Sequence, residues 1–217
     1  MEKMKLIAGI ILFGSLWGFS ECIMGSYLHE TGLLAGAIMT GFFAVGFMLL
    51  TRLLYKKRGM QIGMALVAGT LRLFNPFGGC YICAAIAIMA EGALFELIWY
   101  KISLELTEIK RPMLAVSMGI ITGYICYVGG TIITQILTPA LSTAGFYLEN
   151  LLVFIPQILS RGLLAAILGG ITVPVAMSLK NIKITNVKDK IYYPTTAAVS
   201  ALCWIAVIVN TLLLLGI

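Results

Sequence analysis

Residues 6–28, LIAGIILFGSLWGFSECIMGSYL, decide the fold. A helix rises about 1.5 Å per residue and the hydrocarbon core of a bilayer is about 30 Å thick, so roughly 20 mostly apolar residues in a row mark a spanning helix. This stretch has that length, and Glu21 is its only charged residue. Trp17 and Glu21 stand where a signal-peptide cleavage site needs small residues, so the segment is expected to be retained. Working outward, six further stretches read in the same way: 32–55, 59–74, 78–100, 112–137, 151–179 and 195–217. The third is short and holds Arg72. The sixth carries Pro156 and Pro174, which predict a short surface helix followed by a kinked span.

Composition agrees. Of 217 residues, 60% are hydrophobic and 11% charged, against about 25% charged in soluble domains. Such a chain cannot cover itself with polar groups in water, so lipid is its solvent. The expected fold class is all-α: a polytopic transmembrane helix bundle of about seven spans, forming one integral membrane domain over residues 1–217.

The net charge of +6 comes with no basic stripe or aromatic recognition motif, so no nucleic-acid partner is expected. The cations lie instead in alternate connections. Lys3 and Lys5 precede the first span. Arg52 ends the second and Lys56, Lys57 and Arg58 follow it, Lys101, Lys110 and Arg111 follow the fourth, and Lys180, Lys183, Lys188 and Lys190 the sixth. The connections around His29, around Asn75 and over 138–150 carry no Lys or Arg, and neither does the C-terminal end. Cytoplasmic loops are the basic ones, so the N-terminus is expected in the cytoplasm and the C-terminus outside. The expected location is the cell membrane, of the prokaryotic plasma-membrane kind.

Ionisable groups inside a bilayer are costly and therefore functional candidates. Glu21, Arg72 and Arg161 fall at outer-half depth and are expected to meet there. Glu91 lies nearer the midplane, and Glu96 toward the cytoplasmic side beside Lys101. On the first span Gly14, Trp17, Gly18, Glu21 and Gly25 share one face at helical spacing. The expected ligand-binding residues are Trp17, Glu21, Arg72, Asn75, Glu91 and Arg161. An ion pair that only locks two helices is the alternative for the charged ones.

The stretch 75–83, NPFGGCYIC, is the most distinctive. Its Pro and glycines make a tight turn, and Cys80 and Cys83 follow as a CxxC at the start of the fourth helix. Three readings stay open for this pair: packing, thiol exchange with a partner, or metal binding together with Cys22 and His29. The cysteines number five in all, which does not make a disulfide framework. No nucleotide-binding loop, metalloprotease motif or Ser-His-Asp order is present, and the cofactor is left unknown by the sequence.

In size, span number, Gly- and Ala-rich helices and the run from Arg72 through Pro76 to Glu91 and Glu96, the chain resembles the substrate-binding membrane subunits of energy-coupling-factor importers, including their nickel and cobalt type. That resemblance implies capture of a small molecule or metal ion outside, with an ATPase and transmembrane coupling module as partner. The nickel and cobalt members bind metal through an N-terminal Met-His segment. This chain begins Met1-Glu2-Lys3-Met4, so that site does not carry over. The CxxC is also similar to that of disulfide-generating quinone oxidoreductases, which need a second outer cysteine pair that this chain lacks. The expected function is thus a solute-binding importer subunit. The alternatives are a membrane thiol-disulfide oxidoreductase using Cys80 and Cys83, and a structural or assembly subunit of a membrane complex.

Overall fold

The computed structural model describes residues 2–76, 80–101, 112–141, 148–179 and 188–216. Within them the chain is helical, with no strand. This is the arrangement lipid demands, because a helix satisfies its own backbone N–H and C=O groups where no water can. Six helices are long and apolar enough to cross a membrane, which makes the chain a multi-pass membrane protein by length and composition. We label them with the shorter apolar helix in chain order: α1 (Lys3–Glu30), α2 (Ala35–Tyr55), α3 (Met60–Leu73), α4 (Tyr81–Lys101), α5 (Pro112–Leu141), α6 (Leu148–Ser178) and α7 (Asp189–Leu215).

Three helices differ in extent from the sequence reading. At 14 residues α3 is about 21 Å long, less than the hydrocarbon thickness. The break expected in the sixth stretch is absent: α6 is continuous over 31 residues with Pro156 and Pro174 inside it. In an apolar setting neighbouring groups re-satisfy what proline frees, so a helix tolerates it. Helix α7 begins six residues before the expected 195, and includes Pro194. The turn at 77–79 and the cations Lys110, Arg111, Lys180 and Lys183 lie outside the described residues.

Helix α2 is central. It touches α1, α3, α4, α5 and α6, while α1–α3–α4–α5–α6 follow one another as packed neighbours and α7 lies against α1. Between helices in lipid there is no water to expel, so packing depends on close approach at small residues. Gly14 of α1 sits on Met64 and Val67 of α3, and Gly18 on Ala68 and Leu71. Gly119 and Gly123 of α5 lie directly on the backbone of Ala165, Gly169 and Gly170 of α6, and Gly41 of α2 meets Ala165 from the other side. Trp17, Met48, Leu49, Met64, Phe95 and Trp99 fill the core. Leu163, Ile167 and Val175 of α6 and Leu202, Ile205 and Leu213 of α7 face outward, as lipid-contacting positions do.

One end of the bundle is basic. Lys5 Nζ lies 2.6 Å from Asp189 Oδ1, and the Tyr55 and Tyr192 hydroxyls are 2.6 Å apart. The Arg52 guanidinium stacks 3.2 Å from the Tyr100 ring centre, with Arg58 at 5.8 Å. Glu96 accepts the Gly59 and Ile62 N–H groups and so caps α3. The Lys101 side chain lies outside the described residues.

Candidate functional site: a polar cavity beside Arg161

The ionisable residues fall into two separate groups rather than one. The first joins α1 to α3. Helix α1 widens into a π turn at Glu21–Gly25, a feature that often marks functional positions. Trp17 Nε1 donates to Glu21 Oε1 at 3.2 Å, and Arg72, only 3% exposed, lies within electrostatic reach of Glu21. Arg72 also donates from Nη1 to the Asn75 carbonyl. The Asn75 side-chain amide donates to the Cys22 carbonyl at 2.9 Å. Trp17, Glu21, Arg72 and Asn75 therefore form a polar clasp between two helices.

Arg161 does not join them. The expected meeting of Glu21, Arg72 and Arg161 is corrected: α6 packs on α2 and α5, which places Arg161 on the far side of the central helix from α3. There it borders two adjoining cavities at the end of the bundle opposite the basic one. One, about 190 Å³, is lined by Tyr127, Thr131 and Gln135 of α5 and by Phe154, Gln157, Ile158 and Arg161 of α6. The other, about 290 Å³, is lined by His29 and residues 32–36 of the α1–α2 connection, again with Tyr127 and Arg161. Tyr127 and Arg161 form the partition between the two. The Arg161 guanidinium lies within electrostatic reach of Tyr127, and no carboxylate among the described residues lies within ion-pair distance of it. None of Trp17, Glu21, Arg72, Asn75 and Glu91 lines either cavity.

Sequence reading missed Tyr127, Thr131, Gln135 and Gln157 because each is neutral and inexpensive in a helix. Their spacing was a usable signal. Tyr127, Thr131 and Gln135 recur every four residues on α5, as Gln157 and Arg161 do on α6, and i, i+4 positions share a helix face.

A larger groove of about 320 Å³ between α2 and α6, lined by Phe42, Phe43, Phe47, Ile171 and Val175 among others, has almost nothing polar with which to orient a solute. A further cavity at the basic end is bordered by Arg58, Glu96 and Tyr100, groups already engaged with one another and with α3.

Glu91 is buried between α4, α2 and α5. Thr40, in the second π turn Met39–Ala44, donates to Glu91 Oε1 at 2.6 Å, and Gly130 of α5 sits on the carboxylate stem.

The expected metal ligands are not assembled. Among the described residues no three His, Cys, Asp or Glu side chains converge as a metal site would require, so Cys80, Cys83, Cys22 and His29 do not form one set. Cys80 and Cys83 are bonded to each other as a disulfide. Cys22 is buried with its thiol on the Leu71 carbonyl, and His29 is exposed beside the Arg161 cavity.

No protein-family model matches the chain, and no curated protein or solved structure matches it.

Proposed function

We infer that this chain is the solute-binding membrane subunit of an importer. It captures a small anionic solute from outside in the cavities beside Arg161. The observation that carries the reading is Arg161 itself, a permanently charged planar donor bordering a cavity, with no carboxylate against it among the described residues. A guanidinium with neutral hydrogen-bonding neighbours is a ready-made receptor for a carboxylate or phosphate. Tyr127, Gln157 and Thr131 supply orientation, and Phe154 and Ile158 an apolar wall. Five of the seven lining residues carry polar side chains, which suits a small polar anion rather than an apolar ligand. Seven crossings, with the N-terminus cytoplasmic and the C-terminus outside, put this end of the bundle at the external surface. That orientation rests on the segregation of Lys and Arg. Having no nucleotide-binding motif, the subunit draws its energy from an ATPase and coupling partner.

The test is thermal stabilisation of the purified protein by a panel of small carboxylates and phosphates. Wild type is stabilised by at least one of them and Arg161→Gln by none, with the unliganded melting temperatures equal. A panel that shifts neither protein, together with no retained solute in native mass spectrometry, would sink the reading.

A second reading is favoured by a separate observation, the Cys80–Cys83 disulfide at the start of α4. It is a membrane thiol-disulfide oxidoreductase. A disulfide that cycles with a quinone or a thiol partner would replace the importer reading.

A further inference from the structure

The polar group least accounted for lies away from the Arg161 cavities. Glu91 is 5% exposed and stands in the third turn of α4, among apolar neighbours. Thr40 occupies one carboxylate oxygen, and Oε2 is buried with no hydrogen-bond partner. The charged and titratable groups around it are few. Helix α1 contributes Glu21, which acts on Glu91 as a second negative charge, and α5 contributes Cys126 and Tyr127. From α2 comes only the Thr40 hydroxyl, since that helix's single cation, Arg52, is at the basic end. The one charge on α3, Arg72, acts on Glu21. No cation among the described residues pairs with Glu91.

We propose that Glu91 is a proton-binding site: its carboxyl carries an exchangeable proton on the unpartnered oxygen, with Thr40 holding the other oxygen. The two intramembrane glutamates stand in different settings, and that difference assigns the proton. Glu21 has an indole N–H donor and a guanidinium within reach, both of which favour its charged form. Glu91 has one hydroxyl and a carboxylate neighbour. An unpaired charge in such a place is far more costly than a neutral acid. Paired carboxyls pushed toward opposite protonation states are how proteins assign acid and base roles. Both glutamates border π turns of neighbouring helices, Glu21 within the first and Glu91 against the second through Thr40. A proton at Glu91 therefore sits on the contact between α4 and the central helix. The inference stands apart from the identity of any solute, and its test needs none.

The test is labelling with dicyclohexylcarbodiimide, an apolar reagent that adds to protonated carboxyls, on the purified full-length protein, with the adduct located by peptide mass spectrometry. The expected result is a single adduct on Glu91 that declines as pH rises and is indifferent to Na⁺ at constant pH. The adduct is lost in Glu91→Gln. Thr40→Val, which leaves the carboxyl in place, moves the midpoint of the pH profile, whereas Thr70→Val on the exposed face of α3 does not. Any of four outcomes overturns the proposal: no adduct on Glu91, an adduct on Glu21 instead, an adduct that persists in Glu91→Gln, or protection by Na⁺ at fixed pH, which would make this a sodium site.

Discussion

The Asn75 side-chain amide donates a hydrogen bond to the backbone carbonyl of Cys22 at 2.9 Å, tying the end of α3 to the π turn of α1. A π turn shifts the helical hydrogen-bond ladder by one residue and leaves a carbonyl in need of a donor. Asn75, itself fully buried, supplies it. Asn75→Ala should therefore destabilise the protein by about 1–3 kcal/mol, the usual cost of orphaning a buried polar group. Reversible denaturation in mixed micelles measures this, with Thr70→Ala on the exposed face of α3 as control. Equal stabilities of the two variants would show that the clasp contributes nothing.

A branched side chain at Gly119 should be far worse. The position lies directly on the backbone of Gly169 and Gly170, which cannot move aside as a side chain can. Gly119→Val is expected to cost more than the ~1–3 kcal/mol of ordinary overpacking, and to remove folded protein from the membrane fraction. Ile121→Val, two residues on and facing outward, should be silent. Comparable yields of the two variants by fluorescence-detected size exclusion would contradict this α5–α6 packing.

The disulfide makes a prediction about thiol counts. Cys22, Cys126 and Cys203 are free and buried, whereas Cys80 and Cys83 are bonded to each other, with Cys80 exposed. A polar maleimide should leave the folded, oxidised protein unlabelled and add two labels after mild reduction, both within 80–83. Labelling of Cys80 before reduction would exclude the bond. Cys80→Ser and Cys83→Ser retain solute binding under the importer reading and abolish activity under the oxidoreductase reading, since exchange needs both sulfurs.

Orientation is checked by fused reporters. A reporter after Ile217 should be active outside and one at Arg58 inside, because Arg58 belongs to the basic end and a cytoplasmic excess of Lys and Arg sets the direction of insertion. Activity of both on one side would rule out seven crossings.

Each apolar run in the sequence corresponds to a helix, and the reason is local. In lipid a contiguous segment satisfies its own backbone only as a helix, so length and hydropathy suffice to locate it. The cost of placing charge in a bilayer likewise marks Glu21, Arg72, Glu91 and Arg161 from the sequence alone. Which of these residues meet is not local. Glu21 and Arg72 come within electrostatic reach of one another because Gly14 and Gly18 let α1 lie close on α3. Arg161 is carried away because α6 packs on α5 through Gly119, Gly123 and Gly169. Thr40 reaches Glu91 only because α2 runs through the middle of the bundle. These contacts join residues dozens of positions apart and depend on how each helix is turned about its own axis. That rotation is set by small-residue contacts between helices, so tertiary structure alone decided which polar groups became a clasp, which a cavity, and which a lone buried carboxyl.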